Sequence, residues 1–526
     1  MGNSLRDDEG LGPLDDAEDL GIRGGRRAAL PRPLAVDEIL ARTGAARSGP
    51  LPVAPFRSLR TDDRARTGDL FVAVRGTVYD AHRSIPRLPG SGVLGVVAET
   101  APPAGFPLPW FRVDDSRRAL ARLEHGRWGD PGARLRVLGV TGTNGKSTTV
   151  RLLAEVLAAA GEECGWITTV SRSIAGKEEP SSMTTPGPGE LAEALARQAG
   201  QGGSAFSLEV SSHALDQHRV EGIPFAGGAI INLSRDHLDY HGDLVAYRDA
   251  KLRLAAHLVS GAPFVIPASP EFQGDLPAGW REGLRGPLLG HSLDPARLGL
   301  EPGGTVREAT LDAAGIAAEL EILGERLQVR SPLRGRHNLE NILVAATLAR
   351  AAGIPAAAVA AGIARAPAVR GRLEEVPGAR GRIFIDYAHT PDALDAVLGA
   401  LREWRPRRLL VVFGCGGDRD RGKRPLMGAV AERHADRVFV TSDNPRSEEP
   451  GAIIAEVLAG TTDPARIVVE PDRRSAIARA VAELREDELL VIAGKGHETE
   501  QVVAGARLPF DDRSVVAELL ALGTGR

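Results

Sequence analysis

Along most of the chain, short apolar runs alternate with stretches of helical periodicity, and the runs end in glycine, polar or ionisable residues. Apolar runs of about four to eight residues bounded by such punctuation read as buried strands, and apolar residues recurring every three or four positions read as helices. Leu34 to Ala41 reads as a short helix, Asp69 to Val74 and Gly92 to Ala98 as strands, and Asp115 to Trp128 as an arginine-rich helix. Asp130-Pro131-Gly132 marks a boundary. A strand around Val137-Leu138-Gly139-Val140 then runs into a glycine-rich turn and a helix from Ser147 to about Ala160. Further strands are expected at Ala205–Val210, Gly227–Asn232 and Pro263–Pro267, an irregular Gly/Pro-rich stretch from about 270 to 330 as a small antiparallel appendage, and a helix at Asn338–Ala352. A last group of β runs covers Ile383–Ile385, Leu409–Phe413, Val438–Val440 and Leu489–Ala493. Strands alternating with helices predict α/β architecture with doubly wound parallel sheets, whose ligands sit at the carboxyl ends of the strands. Three domains are expected: a small α/β unit at 32–133, a central phosphate-loop unit at 134–366 and a Rossmann-like unit at 367–526, preceded by a disordered extension at 1–31.

Composition narrows the function classes. A chain of 526 residues is too long for one hydrophobic core. Apolar content of 43% and charged content of 25% are ordinary for a globular protein. A net charge of −4 gives no electrostatic reason to expect nucleic acid. No apolar run approaches the roughly 18 residues needed to span a bilayer, and no secretory signal pattern opens the chain. Two distant cysteines, Cys164 and Cys415, fit a reducing cytoplasm. Lysine and arginine total 65, yet only five are lysine: Lys146, Lys177, Lys251, Lys423 and Lys495. Where arginine serves almost every generic need, a retained lysine marks a place that wants a compact amine. Lys177, in a polar Gly/Glu/Pro stretch, is the exception.

The turn Gly139-Val140-Thr141-Gly142-Thr143-Asn144-Gly145-Lys146-Ser147-Thr148 is laid out as a phosphate-binding loop. Glycines let backbone N–H groups wrap phosphate oxygens, the helix N-terminus faces the anion, Lys146 reaches the terminal phosphates and Ser147 offers a hydroxyl to Mg²⁺. Val140 stands where the usual pattern has glycine, so this is a variant loop. Glu209 follows an apolar strand, where an unpaired carboxylate is costly; beside a phosphate loop it is a natural Mg²⁺ ligand, and the alternatives are a helix N-cap or a surface acid. Asp236-His237-Leu238-Asp239-Tyr240-His241 is either a metal site or a polar network. Asp443-Asn444-Pro445-Arg446 is either a plain turn or a strand-end loop that offers Arg446 to a carboxylate, and Arg419 could do the same. Gly494-Lys495-Gly496 precedes His497-Glu498 as a loop able to approach a ligand closely.

In combination these residues resemble the Mur ligases of bacterial cell-wall synthesis, over roughly residues 35 to 520. The resemblance rests on Thr143-Asn144-Gly145-Lys146-Ser147, Thr184-Thr185-Pro186, Glu209-Val210-Ser211-Ser212-His213, Asn232-Leu233 with Asp236–Gly242, Ala250-Lys251, Gly335-Arg336-His337-Asn338 with Asn341, Asp386-Tyr387-Ala388-His389, and Gly494-Lys495-Gly496-His497-Glu498. It implies an ATP-dependent amide-forming ligase, with the UDP-substrate, ATP and the incoming amino acid each on its own domain. By that resemblance Gly142, Thr143, Asn144, Gly145, Lys146, Ser147, Thr148, Asn338, Arg372 and Asp386 hold ATP. Ser147 and Glu209 hold one Mg²⁺, and His237 a second. Lys251 is N-carboxylated by CO₂ and supplies a carboxylate to that second ion, a role closed to arginine because only a neutral amine takes up CO₂. The catalytic set is then Lys146, Glu209, His237 and Lys251.

Thr184, Thr185, Ser211, Gln217 and Arg219 are implied to contact UDP-N-acetylmuramoyl-L-alanyl-D-glutamate. Arg419, Asp443, Asn444, Arg446, Gly494 and Glu498 would hold meso-2,6-diaminopimelate, with Arg446 against its distal carboxylate. The first domain departs from the family pattern: Thr61-Asp62-Asp63-Arg64 meets Gly68 one residue early, so the uridine contacts stay unassigned, as does any role for Pro267-Ala268-Ser269-Pro270. A monomer without nucleic-acid or membrane partners is the expectation. The alternatives are a sister ligase adding L-lysine or extending another substrate, as folylpolyglutamate synthetase does, and a regulatory phosphate-loop NTPase.

Overall fold

The computed structural model describes residues 30–62, 67–76, 79–269, 272, 276–297 and 303–523. The expected disordered extension lies almost wholly outside the described residues, as do Asp63, Arg64 and Pro270. The first sheet has five strands in the spatial order Ala46–Ser48, Trp110–Arg112, Gly95–Ala98, Asp69–Val72, Ser58–Arg60. All neighbours are parallel except the edge pair of Ala46–Ser48 with Trp110–Arg112. Leu70, Phe71, Val72, Val96 and Val97 are fully buried, so both sheet faces are covered and the runs are continuously apolar. The run expected from Gly92 pairs only from Gly95, because Gly90 and Gly92 take left-handed turn conformations. The helix expected from Asp115 begins at Ser116, with the Asp115 carboxylate accepting from the Arg117 and Arg118 N–H groups. Such a cap contributes about 1 kcal/mol.

The central sheet has eleven strands. Its inner strands lie in the order Leu288–Ser292, Phe264–Pro267, Phe225–Ile230, Arg136–Thr141, Ala205–Glu209, Cys164–Ile167, all parallel. Antiparallel strands extend both ends, so the sheet is mixed rather than purely parallel. The stretch from about 270 to 330 is correspondingly more regular than its Gly/Pro content suggests. Gly304–Asp312, Gly315–Ile322 and Glu325–Ser331 form a meander that continues the central sheet. Ile316, Ala318, Leu320, Ile322, Leu327 and Val329 alternate inward and join the core shared with the helices Arg336–Ala351 and Ala356–Arg365. That period-two pattern is the strand signal, and the intervening turn residues obscure it.

The third sheet has six strands in the order Glu374–Val376, Arg382–Asp386, Leu489–Ala493, Leu409–Phe413, Arg437–Val440, Ile467–Val469. The two edge strands were not expected, being three residues each with only one residue of each buried. A hairpin, Glu500–Val503 with Ala506–Pro509, closes over the strand ends and bridges through Val503 to Arg446. Arg473 is fully buried against Asp512, at 2.8 and 2.7 Å, and also donates to the carbonyls of Ala493 (3.0 Å) and Ser442 (3.4 Å). It thereby ties together the two strand ends from which Asp443–Arg446 and Gly494–Glu498 emerge. Removing one partner of such a buried pair costs about 3–5 kcal/mol.

Candidate active site

The strand Arg136–Thr141 lies between Ala205–Glu209 and Phe225–Ile230, so the phosphate loop, Glu209 and Asn232 emerge side by side at carboxyl ends. Asn232 holds the loop: its carbonyl accepts from Thr143 N (3.1 Å) and its Oδ1 from Asn144 N (2.9 Å). Gly145 has φ +86°, and a Cβ there would stand 2.0 Å from Asn341 Oδ1, so only glycine fits. Lys146 opens the helix Lys146–Ala159, and its Nζ bends back to the carbonyls of Gly142 (3.1 Å) and Thr143 (2.8 Å). Burial lowers its pKa against the opposing pull of Glu209 and Asp236.

Glu209 is 1% exposed. Its carboxylate accepts from Ser147 Oγ at 2.6 Å and from Thr169 through both N–H and Oγ1, each at 2.9 Å. A hydroxyl and a carboxylate beside a phosphate loop are hard oxygen donors that suit Mg²⁺. Among the described residues no group of three or more His, Cys, Asp and Glu side chains is arranged to hold a metal. Phosphate and water oxygens would therefore complete any such site.

Lys251 is 1% exposed, and its Nζ donates to the Gly142 carbonyl at 2.7 Å, the same oxygen that Lys146 uses. The amine also lies 4.1 Å from the centre of the Tyr247 ring. Burial, then the neighbouring Lys146 charge, push its pKa well below the ordinary lysine value. The sequence cluster around His237 is a packed aromatic group: the His213 ring contacts those of His237 (4.8 Å), Tyr240 (4.2 Å) and His241 (5.4 Å). Desolvation in this cleft, with the nearby His213, Lys146 and His389, outweighs the opposing pull of the Asp236 carboxylate and pushes His237 down to about 3. Its ring nitrogens are thus neutral at physiological pH, as a metal ligand requires. Asp236 stays ionised, down to about 2, because His389, His237, Lys423 and Lys146 outweigh the effect of its own burial.

Two cavities meet at these residues. One, of about 140 Å³, is lined by Gly142–Lys146, Thr169, Thr184, Glu209, Ser211, Lys251 and Arg372. The other, of about 190 Å³, is lined by Arg419, Lys423, Asp443, Asn444, Arg446, Gly494 and Glu498. Asp236, His237, Tyr387 and His389 line both. The central and third sheets are joined across this wall by Arg235, which pairs with Asp420 at 2.8 and 3.2 Å.

In the second cavity Asn444 Nδ2 donates to Glu498 Oε2 at 2.7 Å, and its Oδ1 accepts from Lys495 Nζ (3.2 Å) and Val502 N (2.9 Å). These partners fix which way the amide faces. Gly494 has φ +109°, and a Cβ there would meet Asp443 Oδ2 at 2.5 Å. Arg446 sits at φ +53°, a left-handed conformation rare for a side-chain-bearing residue, held by Arg446 N to Val502 O (2.9 Å) and Ala504 N to Arg446 O (2.7 Å). Its Nη1 donates to the Gly417 carbonyl at 2.8 Å. Arg419 is exposed, and among the described residues its hydrogen bond is to the Asp418 carbonyl, at 3.2 Å.

Thr185, Ser211, Gln217 and Arg219 form one bonded group next to Glu209. Thr185 Oγ1 donates to the Glu209 carbonyl (2.8 Å) and accepts from Ser211 N (3.0 Å), while Arg219 donates to Thr185 O (2.8 Å) and Gln217 Oε1 (2.8 Å). Thr184 reaches the same place through Thr169 Oγ1, 3.0 Å away. Arg372 lines the phosphate cavity, with its guanidinium 4.6 Å from the Tyr387 ring centre. Thr148, Asn338 and Asp386 do not line it. Asn338 bonds Asn341 (2.9 Å) and Arg334 O (2.7 Å), and the Asp386 oxygens accept from Leu373 N (2.6 Å) and Ala388 N (2.7 Å). Sequence reading missed Thr169, Tyr247 and the Arg235–Asp420 pair. Thr169 closely follows the apolar strand Cys164–Ile167, and a polar residue at that strand end was the available signal.

Profile comparison matches residues 140–349 to the Mur ligase middle domain and residues 371–496 to the Mur ligase glutamate ligase domain. A protein of Xanthomonas campestris pv. campestris (strain 8004), named UDP-N-acetylmuramoyl-L-alanyl-D-glutamate--2,6-diaminopimelate ligase, is 38% identical over 509 residues, covering 94% of this chain and 99% of its own length. A solved structure of a protein of that same name is 32% identical with a TM-score of 0.63, covering 91% of this chain and 97% of that one. The fold is shared more widely: a MurF ligase from Thermotoga maritima in complex with ADP is 18% identical with a TM-score of 0.58, covering 89% of this chain and 96% of that one. At this identity over nearly its whole length, the chain belongs to the Mur ligase family.

Proposed function

We propose that the protein is an ATP-dependent ligase that joins meso-2,6-diaminopimelate to UDP-N-acetylmuramoyl-L-alanyl-D-glutamate in peptidoglycan precursor synthesis. The observation that carries this reading is the pair of cavities with a common wall. A phosphate loop opens on one side, a cavity bearing Arg446, Asn444 and Glu498 opens on the other, and Asp236, His237, Tyr387 and His389 lie between. A switch NTPase has no use for the second cavity. Three domains serve the reaction: 32–133 for the UDP moiety, 134–366 for ATP, and 367–526 for the amino acid.

The D-glutamyl γ-carboxylate oxygen attacks the γ-phosphorus of ATP, the bond to the β-phosphate oxygen breaks, and ADP leaves with the electron pair. The amine of diaminopimelate then attacks the acyl-phosphate carbon, phosphate departs, and the amine gives up one proton. Lys146 swings from its own loop carbonyls to the terminal phosphate and balances its charge. Thr184, Thr185, Ser211, Gln217 and Arg219 hold the sugar-dipeptide, and Gly142, Thr143, Asn144, Gly145 and Arg372 the nucleotide phosphates and ribose. Asn338 and Asp386 act from behind, shaping the nucleotide site through Asn341 and through the backbone of Leu373 and Ala388. Ser147 and Glu209 would hold one Mg²⁺, and His237 with a carboxylated Lys251 a second, lowering the charge on the phosphates. The depressed pKa of Lys251 leaves a larger neutral fraction to add to CO₂, forming an N–C bond with release of one proton. Arg446 takes the distal carboxylate, while Arg419, Asp443, Asn444, Gly494 and Glu498 hold the remaining zwitterion. An arginine at 446 repels the ammonium of L-lysine.

Phosphate release in the presence of the UDP-dipeptide, compared for meso-diaminopimelate, L-lysine and no amino acid, tests this reading. Turnover with diaminopimelate alone is the expected result. Equal rates with lysine sink the specificity, and amino-acid-independent turnover sinks the ligase.

A further inference from the structure

The reading above leaves Lys423 and Lys495, two of the retained lysines, without a role. Lys251, Lys423 and Lys495 are the buried lysines. Lys495 is saturated: its Nζ donates to Asn444 Oδ1 (3.2 Å), Glu498 Oε2 (3.0 Å) and the Glu500 carbonyl (2.6 Å). Lys251 has the Gly142 carbonyl. Lys423 differs: it is 7% exposed and has no hydrogen bond or ion pair among the described residues. It lines the amino-acid cavity, and its charge acts on Asp236 and His389, which are common to both cavities.

Its position works against stability. Lys423 is the first residue of the helix Lys423–His434, so its ammonium adds to the positive end of the helix dipole. Most of its side chain is buried and no anion among the described residues is bonded to its amine, which opens on the cavity. The next residue shows what the chain does when a buried charge has a permanent partner: Arg424 is fully buried and paired with Glu448 and Glu456. An unpaired amine kept at such a place is matched to an anion that arrives with the substrates. The carboxylates of the amino acid already face Arg419 and Arg446. Lys423 lines the same cavity, and its charge acts on Asp236 and His389, in the wall common to both cavities, and on Asp420 and Cys415. A compact ammonium suits a phosphoryl oxygen as a point charge.

We propose that Lys423 is a catalytic residue contributed by the third domain, donating to a phosphoryl oxygen of the acyl phosphate and stabilising the departing phosphate. The inference rests on the ligase reading. When the amine nitrogen bonds to the carbonyl carbon, the carbon–oxygen bond to the phosphoryl group breaks and phosphate leaves with that electron pair. The proton lost comes from the attacking amine, and Lys423 keeps its own. Lys146 and Lys423 thus hold the phosphate from opposite domains, joined by Arg235 and Asp420.

The test uses the full chain with Lys423→Met and Lys423→Arg. Expected for Lys423→Met is a fall in kcat of about 100-fold, the scale of removing one preorganised charge-stabilising donor. The diaminopimelate KM stays within about threefold, as for a group acting only after the amino acid is bound. Acyl phosphate trapped by borohydride reduction during turnover rises above the wild-type level, the melting temperature holds or rises as the unfavourable charge is removed, and Lys423→Arg recovers part of kcat. A kcat near the wild-type value, or a loss confined to KM, overturns the proposal, the latter pointing to a carboxylate contact. If Lys423→Met fails to fold, Lys423→Gln is judged by the same criteria. A wild-type enzyme that releases no phosphate with diaminopimelate fails the ligase reading. A working wild type with fully active variants fails this inference alone.

Discussion

Replacing Lys495 with methionine removes an ammonium and little volume, so it isolates the charge from the packing. Three contacts disappear: those to Asn444 Oδ1, Glu498 Oε2 and the Glu500 carbonyl. Asn444 keeps its bond from Val502 N, and Glu498 keeps Asn444 Nδ2, so both side chains survive in place but less firmly. A hydrogen bond to a charged group contributes about 1.5–3 kcal/mol, and its loss at a binding contact weakens affinity about 10- to 150-fold. Lys495→Met is therefore expected to raise the diaminopimelate KM by about 10- to 100-fold, with ATP binding unchanged because no nucleotide contact is touched. Steady-state phosphate release at varied amino acid, beside calorimetric ADP binding, reads both quantities. Lys495→Arg is expected to be worse than methionine, since a planar fork cannot meet three acceptors grouped around one nitrogen. A diaminopimelate KM unchanged in both variants would falsify the account of how Asn444 and Glu498 are oriented.

Arg446→Ala is expected to raise the diaminopimelate KM by about 10- to 100-fold and leave ADP affinity unaltered, the loss of one charge-assisted contact, measured by the same assays. Lys251→Ala should lose turnover, and added formate or acetate should restore part of it; no restoration by any small carboxylate counts against the carboxylated lysine. His125 gives a pH signature. It is 1% exposed, neither ring nitrogen has a hydrogen-bond partner among the described residues, and burial lowers its pKa from 6.5 to about 4. Its folded pKa lies below the unfolded one, so the unfolded chain takes up the proton first as pH falls. The His125 contribution is intact above pH 6.5 and is lost between 6.5 and 4, by up to about 3 kcal/mol. Melting curves of His125→Leu should show a shallower decline across that window than the wild type, and parallel curves would count against it.

The parts of the fold that could be read in advance are those where one local rule suffices. Leu409–Phe413 and Leu489–Ala493 are strands buried on both faces, and nothing but an inner parallel strand matches such runs. The phosphate loop was legible because its glycines have no substitute: Asn341 fills the space a Cβ at Gly145 would need. Glu374–Val376 and Ile467–Val469 were not, since three-residue edge strands owe their existence to the neighbour they pair with. The Gly304–Ser331 meander was hidden because turn residues interrupt its period-two pattern. Among site residues, Arg446 could be named from its motif, but its left-handed backbone is imposed by a hairpin more than fifty residues away. Thr169 and Asp420 carry no motif at all, and only the folded chain brings them to Glu209 and Arg235. Lys495 and Lys423 were singled out by the scarcity of lysine, yet scarcity says nothing about which is saturated and which lacks a partner.

In the ligase reaction proposed above, the carboxylate of the UDP-dipeptide is phosphorylated before the amide forms. That order is tested by ligation with the D-glutamyl γ-carboxylate labelled with ¹⁸O and mass analysis of the phosphate released. The account predicts one ¹⁸O atom in each phosphate formed, because the carbon–oxygen bond is the one that breaks. Phosphate free of label, with the oxygen supplied by water, would contradict it.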